Sequence, residues 1–168
     1  GYGDMFYIKH HSPNFTIIDC CLSEENQERI AKDIHHAHLG KEITRFISTH
    51  PDEDHIAGLK YLDDYLDIRN FYCIKNEVIK LDEETEDFKH YCKLRSDPQK
   101  AFYLERGISR AWITAGNNER QTSGIEILWP ILSNVHYKEA LRLAEQGESP
   151  NNISAIIKYG IQDGPSFM

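Results

Sequence analysis

No apolar run in the sequence approaches the roughly 20 residues that a membrane helix requires, and the first residues lack the basic-then-apolar layout of a secretion signal. No membrane segment is expected in this chain. Cysteine is scarce as well. Cys20, Cys21, Cys73 and Cys92 show no paired C-x-x-C spacing, and adjacent Cys20 and Cys21 would bridge each other only under strain. A reduced, cytoplasmic setting is expected. Basic residues are outnumbered, 19 Lys and Arg against 27 Asp and Glu, for a net charge of −8. That excludes a surface basic throughout that wraps duplex DNA, so a nucleic-acid partner would need a local basic patch. Internal repeats and low-complexity tracts are also missing.

What is present suits one folded domain: 168 residues, 40% of them hydrophobic and 27% charged. Met5 to Ile8 and Phe15 to Ile18 are short β-prone runs around a turn-rich His11-Ser12-Pro13-Asn14, which predicts a β-hairpin. A helix follows, with Ser23 as N-cap, Ile30 and Ile34 four apart, and Gly40 as its end. Ile43 to Ser48 reads as a strand. Ile56, Leu59, Leu62 and Leu66 have helical spacing, and Ile68 to Ile74 is another strand. The alternation predicts layered α/β structure.

From about 82 to 112 the sequence is charged and mostly helical in period, broken at Asp97-Pro98, where Asp97 is placed to cap a second helix. Gly116-Asn117-Asn118 and Ser123-Gly124 are loop signals. Ile125 to Leu128 reads as a strand, His136 to Gln146 as a helix stopped by Gly147, and Ile153 to Tyr159 as a further strand. Residues 160–168 read as a strand, a turn and the start of another strand. An unpaired strand there would leave backbone groups open and favour pairing with a second copy of the chain.

The chemistry concentrates in Thr49-His50-Pro51-Asp52-Glu53-Asp54-His55, between a strand and a helix. Carboxylates so close repel one another unless a cation lies between them, and a divalent metal would supply it. A solvated acidic turn is the plain alternative. Against it stand the two flanking histidines and Ile56-Ala57-Gly58-Leu59, a small-residue helix start that would let backbone approach an ion.

His50-x-Asp52-x-Asp54-His55-x-x-Gly58 resembles the H-x-[HD]-x-D-H motif of metallo-β-lactamase-fold hydrolases. The variant with Asp in third place is most similar to the nuclease-type domain of the competence protein ComEC and its soluble relatives. Gly3-Asp4, Ile17-Ile18-Asp19-Cys20 and Asn151-Asn152-x-Ser154 extend the likeness over most of the chain. The resemblance implies an αββα sandwich, here as its N-terminal portion in one incomplete domain over 1–168 with the insertion at about 82–112. It implies one or two divalent ions, His50 and Asp52 on the first and Asp54 and His55 on the second. Asp19 would orient the loop, and Asn151, Asn152 or Ser154 would line the site where relatives carry another histidine. A metal-bound hydroxide would be the nucleophile, with Asp54 accepting its hydrogen bond.

Asp52 stands where most members have histidine. A carboxylate makes the site harder, shifting the expected metal from Zn²⁺ toward Mn²⁺ or Mg²⁺ and the expected substrate toward a phosphodiester or nucleic acid. Hydrolysis of a β-lactam, thioester or lactone is the alternative on the same fold, and a non-catalytic interaction module is the third reading. Relatives continue past the Asn151 strand to a bridging aspartate and a further histidine. The chain is therefore expected to be part of a longer protein, and to bind metal weakly and have little activity alone.

Two weaker signals complete the reading. His35, His36 and His38 near a helix C-terminus are expected to be exposed residues favoured by the dipole, and His10 and His11 by the hairpin are likewise expected to be exposed. Between Glu86 and Arg120 the charge is +2 while the rest of the chain carries −10. With Tyr91, Phe102, Tyr103 and Trp112 interleaved, that stretch reads either as a substrate-binding insertion, in which Lys93, Arg95 and Lys100 meet phosphates, or as a cover whose aromatics face the core.

Overall fold

The computed structural model describes residues 3–108, 110–114, 123–160 and 166–168. Strands β1 (Phe6–Lys9) and β2 (Asn14–Ile18) form the antiparallel hairpin, with Tyr7 opposite Ile17. The Asn14 side chain donates to Ser12 Oγ (2.9 Å) and so closes the turn locally. A two-residue strand, β3 (Cys20–Cys21), leads to helix α1 (Gln27–His38). Strand β4 (Ile43–Ile47) then lies parallel to β2. Helices α2 (Glu53–Ile56) and α3 (Leu59–Leu66) connect it to β5 (Ile68–Cys73), which is parallel to β4. Helix α4 (Glu86–Ser96) crosses to β6 (Ala101–Tyr103), giving a five-stranded sheet ordered β1-β2-β4-β5-β6. After the short helix α5 (Ala111–Thr114) comes an antiparallel sheet of β7 (Ile125–Trp129), β8 (Ile156–Gly160) and β9 (Ser166–Phe167). Helix α6 (Val135–Ala144) and a 3₁₀ turn (Pro150–Ile153) lie between β7 and β8.

The core explains the central position of β4. A parallel strand flanked on both sides is covered on both faces, and Thr44 through Ile47 are all buried. Phe46 stacks on Phe71 of β5, ring centroids 5.7 Å apart. Ala31 and Ile34 of α1 and Leu59, Leu62 and Leu66 of α3 supply the helical side of the same cluster. Among the described residues no helix is long and apolar enough to cross a membrane.

Several elements differ from the sequence reading for identifiable reasons. Residues 24–26 form a turn, so α1 starts after Asn26 instead of directly after Ser23; the Asn26 side chain makes no cap bond into the helix and accepts from Ser23 N (2.9 Å), which closes that turn. The Ile56 to Leu66 helix breaks in two at Gly58, whose φ of +81° ends α2 and opens α3. Asp97 follows α4 instead of capping a second helix; its backbone carbonyl accepts from Ala101 N (2.8 Å) and turns the chain into β6. The 82–112 segment thus adds a strand to the sheet as well as helix. Asn151 to Ile153 sit in the 3₁₀ turn, not in the strand. The Gly116-Asn117-Asn118 signal and residues 161–165 lie outside the described residues.

His10 is buried, contrary to the exposed position expected. It is 7% accessible, its Nε2 is 2.8 Å from Thr16 Oγ1, and the Trp112 ring meets its edge. Burial, helped by Lys41 and Arg45 and opposed by a backbone hydrogen bond at Ser123, lowers its pKa from 6.5 to about 4. The unfolded chain therefore takes up this proton first as pH falls. The stabilising contribution is complete above pH 6.5 and is lost between about 6.5 and 4, to the extent of about 3 kcal/mol. Urea denaturation at pH 7 and pH 4.5 should show a smaller acid loss of stability in His10→Gln than in the wild type.

Candidate metal centre

Parallel strands gather loops at their C-terminal ends, and the acidic motif leaves β4 at that end. Beside it, β2 ends at Asp19, in the left-handed region at φ +53°, a conformation that Asp tolerates better than most residues. Asp19 N donates to Ile47 O (2.9 Å), which brings the side chain over the end of β4. Cys20 and Cys21 bridge to Ile56 and Ala57, and Leu22 N donates to Ala57 O (2.9 Å), fixing the exit of α2.

The Asp19 carboxylate is 5% accessible and takes three donors. Oδ1 accepts from Thr49 N (2.7 Å), while Oδ2 accepts from Thr49 Oγ1 (2.6 Å) and from His55 Nδ1 (2.9 Å). Because Thr49 spends its one hydroxyl proton on Asp19, its oxygen can only accept from His50 Nδ1, 3.0 Å away. Both imidazoles, when neutral, are therefore Nδ1-protonated tautomers. Each leaves its Nε2 lone pair uncommitted, the arrangement by which a buried partner prepares a histidine to ligate a metal.

His50 is 4% accessible, and its Nε2 is buried with no hydrogen-bond partner among the described residues. Burial first, then the neighbouring His55, lowers the His50 pKa; the Asp19 and Asp52 carboxylates, and after them Asn151, oppose that fall. The two rings lie 4.1 Å apart at 48°. The hydrogen bond from His55 to Asp19 raises the His55 pKa against the lowering effect of burial. His55 Nε2 lies 3.8 Å from Asp54 Oδ1.

The carboxylates do not complete the set. Asp52 Oδ1 is paired with the Lys80 ammonium at 3.1 Å, and Glu53 accepts from the Thr85 hydroxyl at 3.1 Å. Among the described residues no group of three or more His, Cys, Asp or Glu converges to hold a metal ion. The residues fit a divalent ion through two open imidazole nitrogens, and the ligand shell around them is not closed.

Of the other expected residues, Asn151 touches the site through His50, and Ser154 Oγ donates to Asn151 O (2.7 Å) within the 3₁₀ turn. Ala155 N donates to Thr49 O (2.9 Å) and docks that turn against the motif, whereas Asn152 is exposed. Gly58 does not offer its backbone to an ion. Its N–H donates to Asp87 (2.7 Å), and a Cβ there would lie 2.5 Å from Leu22 Cβ. A Cβ on Gly3 would collide with the Asp54 carbonyl, so the Gly3-Asp4 signal marks a close approach to the motif. Two contributors carry no assigned role in the sequence reading. Thr49 opens the acidic stretch and is legible as a hydroxyl, but Lys80 lies 28 residues from Asp52 with no periodic signal.

In the aromatic segment, Tyr91 and Arg95 are buried, Arg95 donating to Asn76 Oδ1 (2.8 Å) and Val78 O (3.1 Å). Phe102 and Trp112 are partly buried against the core. The core-cover reading holds for Tyr91, Phe102 and Trp112 but not for Tyr103, which is exposed, and Arg95 is not available to a phosphate. His35 and His36 are exposed as expected; His38 is half-buried, its Nε2 3.0 Å from Thr44 Oγ1. All four cysteines are free.

The family model described as the metallo-beta-lactamase superfamily matches residues 3–136. The crystal structure of the DIM-1 metallo-beta-lactamase is similar over 91% of this chain at 16% identity, with a TM-score of 0.45, and this chain spans about half (52%) of that lactamase. No curated protein matches the sequence significantly.

Proposed function

The chain belongs to the metallo-beta-lactamase superfamily, and from that premise we propose that it is the ligand-bearing part of a metal-dependent hydrolase acting on phosphodiesters, close to the nuclease-type domains that its motif resembles. The observation that carries the substrate class is Asp52 in the second ligand place. It exchanges a nitrogen donor for a harder oxygen and so favours Mn²⁺ or Mg²⁺, ions suited to phosphate oxygens, over Zn²⁺. The metal dependence is supported by His50 and His55, whose Nδ1 atoms are occupied and whose Nε2 atoms are open. The chemistry a divalent ion brings to hydrolysis is Lewis acidity.

The chain's own contribution is positional. Asp19 and Thr49 hold the two imidazoles in one tautomer and so keep their lone pairs available. Asp54, partly exposed beside His55 Nε2, is placed to accept a proton from an attacking water. With the carboxylates turned to Lys80 and Thr85, this chain by itself has little activity.

The test is cleavage of single-stranded DNA and of a generic phosphodiester, against a chromogenic β-lactam and a thioester, with Mn²⁺ and with Zn²⁺. Slow, Mn²⁺-preferring phosphodiester cleavage that is lost in His55→Ala is the expected outcome. Turnover of the β-lactam or thioester, or activity with Zn²⁺ alone, would overturn the assignment.

A further inference from the structure

The segment that precedes and opens α4 is fastened along the motif. Lys80 pairs with Asp52 at 3.1 Å, with the two side chains 20% and 30% exposed, and the ammonium sits 5.4 Å from the centre of the Phe88 ring. The Thr85 hydroxyl donates to Glu53 while its oxygen caps α4 by accepting from Phe88 N (3.1 Å). Asp87 accepts from Gly58 N (2.7 Å) and Lys60 N (2.9 Å), and His90 Nε2 lies 2.8 Å from Asp63 Oδ2.

The other end of the segment is anchored to the core. Asn76 donates to Ile74 O (2.6 Å) and Tyr91 Oη (2.8 Å) and accepts from Val78 N (3.1 Å). Arg95 donates to Asn76 Oδ1 and to Val78 O, and Glu77 N donates to Glu145 Oε1 (2.9 Å). Lys80 is thus delivered by a strap held on both sides.

We propose that Lys80 is a built-in competitor of the divalent ion at Asp52, its ammonium supplying the positive charge that the acidic loop requires when no ion is bound. The inference rests on reading the His50–His55 site as a metal centre. The loop carrying Asp52, Glu53 and Asp54 repels itself, and a cation beside any one of these carboxylates relieves that repulsion. An ion that recruits Asp52 must first break a partly buried ion pair, so the affinity of the site is set by Lys80 as well as by its ligands. Ion entry also frees the strap at its Lys80 end, which couples metal loading to release of the segment lying across the motif.

Calorimetric titration of the chain with MnCl₂ and with ZnCl₂ tests this. Lys80→Gln should bind about tenfold more tightly than the wild type, the loss of one partly buried ion pair. Lys80→Arg, which keeps the charge, and Lys89→Gln, which removes an exposed charge paired with Glu86, should stay within about twofold of the wild type. Equal or weaker binding by Lys80→Gln, with the wild type still binding, overturns the competitor role and leaves the metal centre standing. Absence of saturable binding in every variant overturns both.

Discussion

Replacing Asp19 by alanine should destabilise the chain by about 3 kcal/mol, seen as a fall in Tm of about 6–12 °C. The carboxylate is buried and accepts from Thr49 N, Thr49 Oγ1 and His55 Nδ1. Truncation removes all three acceptor contacts at once and leaves two nitrogens and a hydroxyl without the partner their positions were built around. The backbone adds to the loss, because φ at this residue is +53° and alanine resists the left-handed region. Asp19→Asn separates these contributions. It keeps the tolerance for positive φ and one acceptor oxygen, and it should lose about half as much. The same alanine variant should also weaken metal binding by about ten- to a hundredfold, since His55 loses the group that fixes its tautomer. A ΔΔG within about 0.5 kcal/mol of zero, typical of a surface change, would show that the Asp19 network holds nothing together.

Much of the architecture was legible because local chemistry and tertiary structure agree. The hairpin follows from two β-prone runs around Ser12-Pro13, and β4 and β5 from apolar runs between helical patterns. The motif points to the end of β4, and Asp19 is named through the family resemblance of Ile17-Ile18-Asp19-Cys20. Other features were hidden because they depend on partners far away in sequence. Asp97 carries an N-cap side chain, yet its carbonyl serves the turn into β6, whose pairing with β5 decides the outcome. His10 is polar and sits by a turn, but Trp112 and Thr16 bury it. Arg95 reads as a surface cation until Asn76 and the Val78 carbonyl are seen to receive it. The Asp52–Lys80 pair spans 28 residues, so the acidic motif gave no sign that one of its carboxylates was already matched.

Removing both imidazoles should abolish specific metal binding. His50 and His55 have Nε2 atoms left open by the Asp19–Thr49 network, and His50 Nε2 is buried without a partner among the described residues, which a protein interior rarely tolerates unless something else completes it. The remaining histidine cluster cannot substitute for them as a set, because His38 Nε2 is committed to Thr44 and His35 stands edge-on to Tyr65. The double variant His50→Ala/His55→Ala should therefore lose more than about a hundredfold in affinity, whereas His35→Ala/His36→Ala should bind as the wild type does.

Equilibrium dialysis against Mn²⁺ and Zn²⁺, with bound metal counted per chain in these two double variants and the wild type, is the most direct measurement. Weak but saturable binding at the motif in the wild type, retained in His35→Ala/His36→Ala and lost in His50→Ala/His55→Ala, is the expected result. Binding that survives loss of His50 and His55, or a wild-type chain that binds neither ion saturably, would contradict a metal centre at the end of β4.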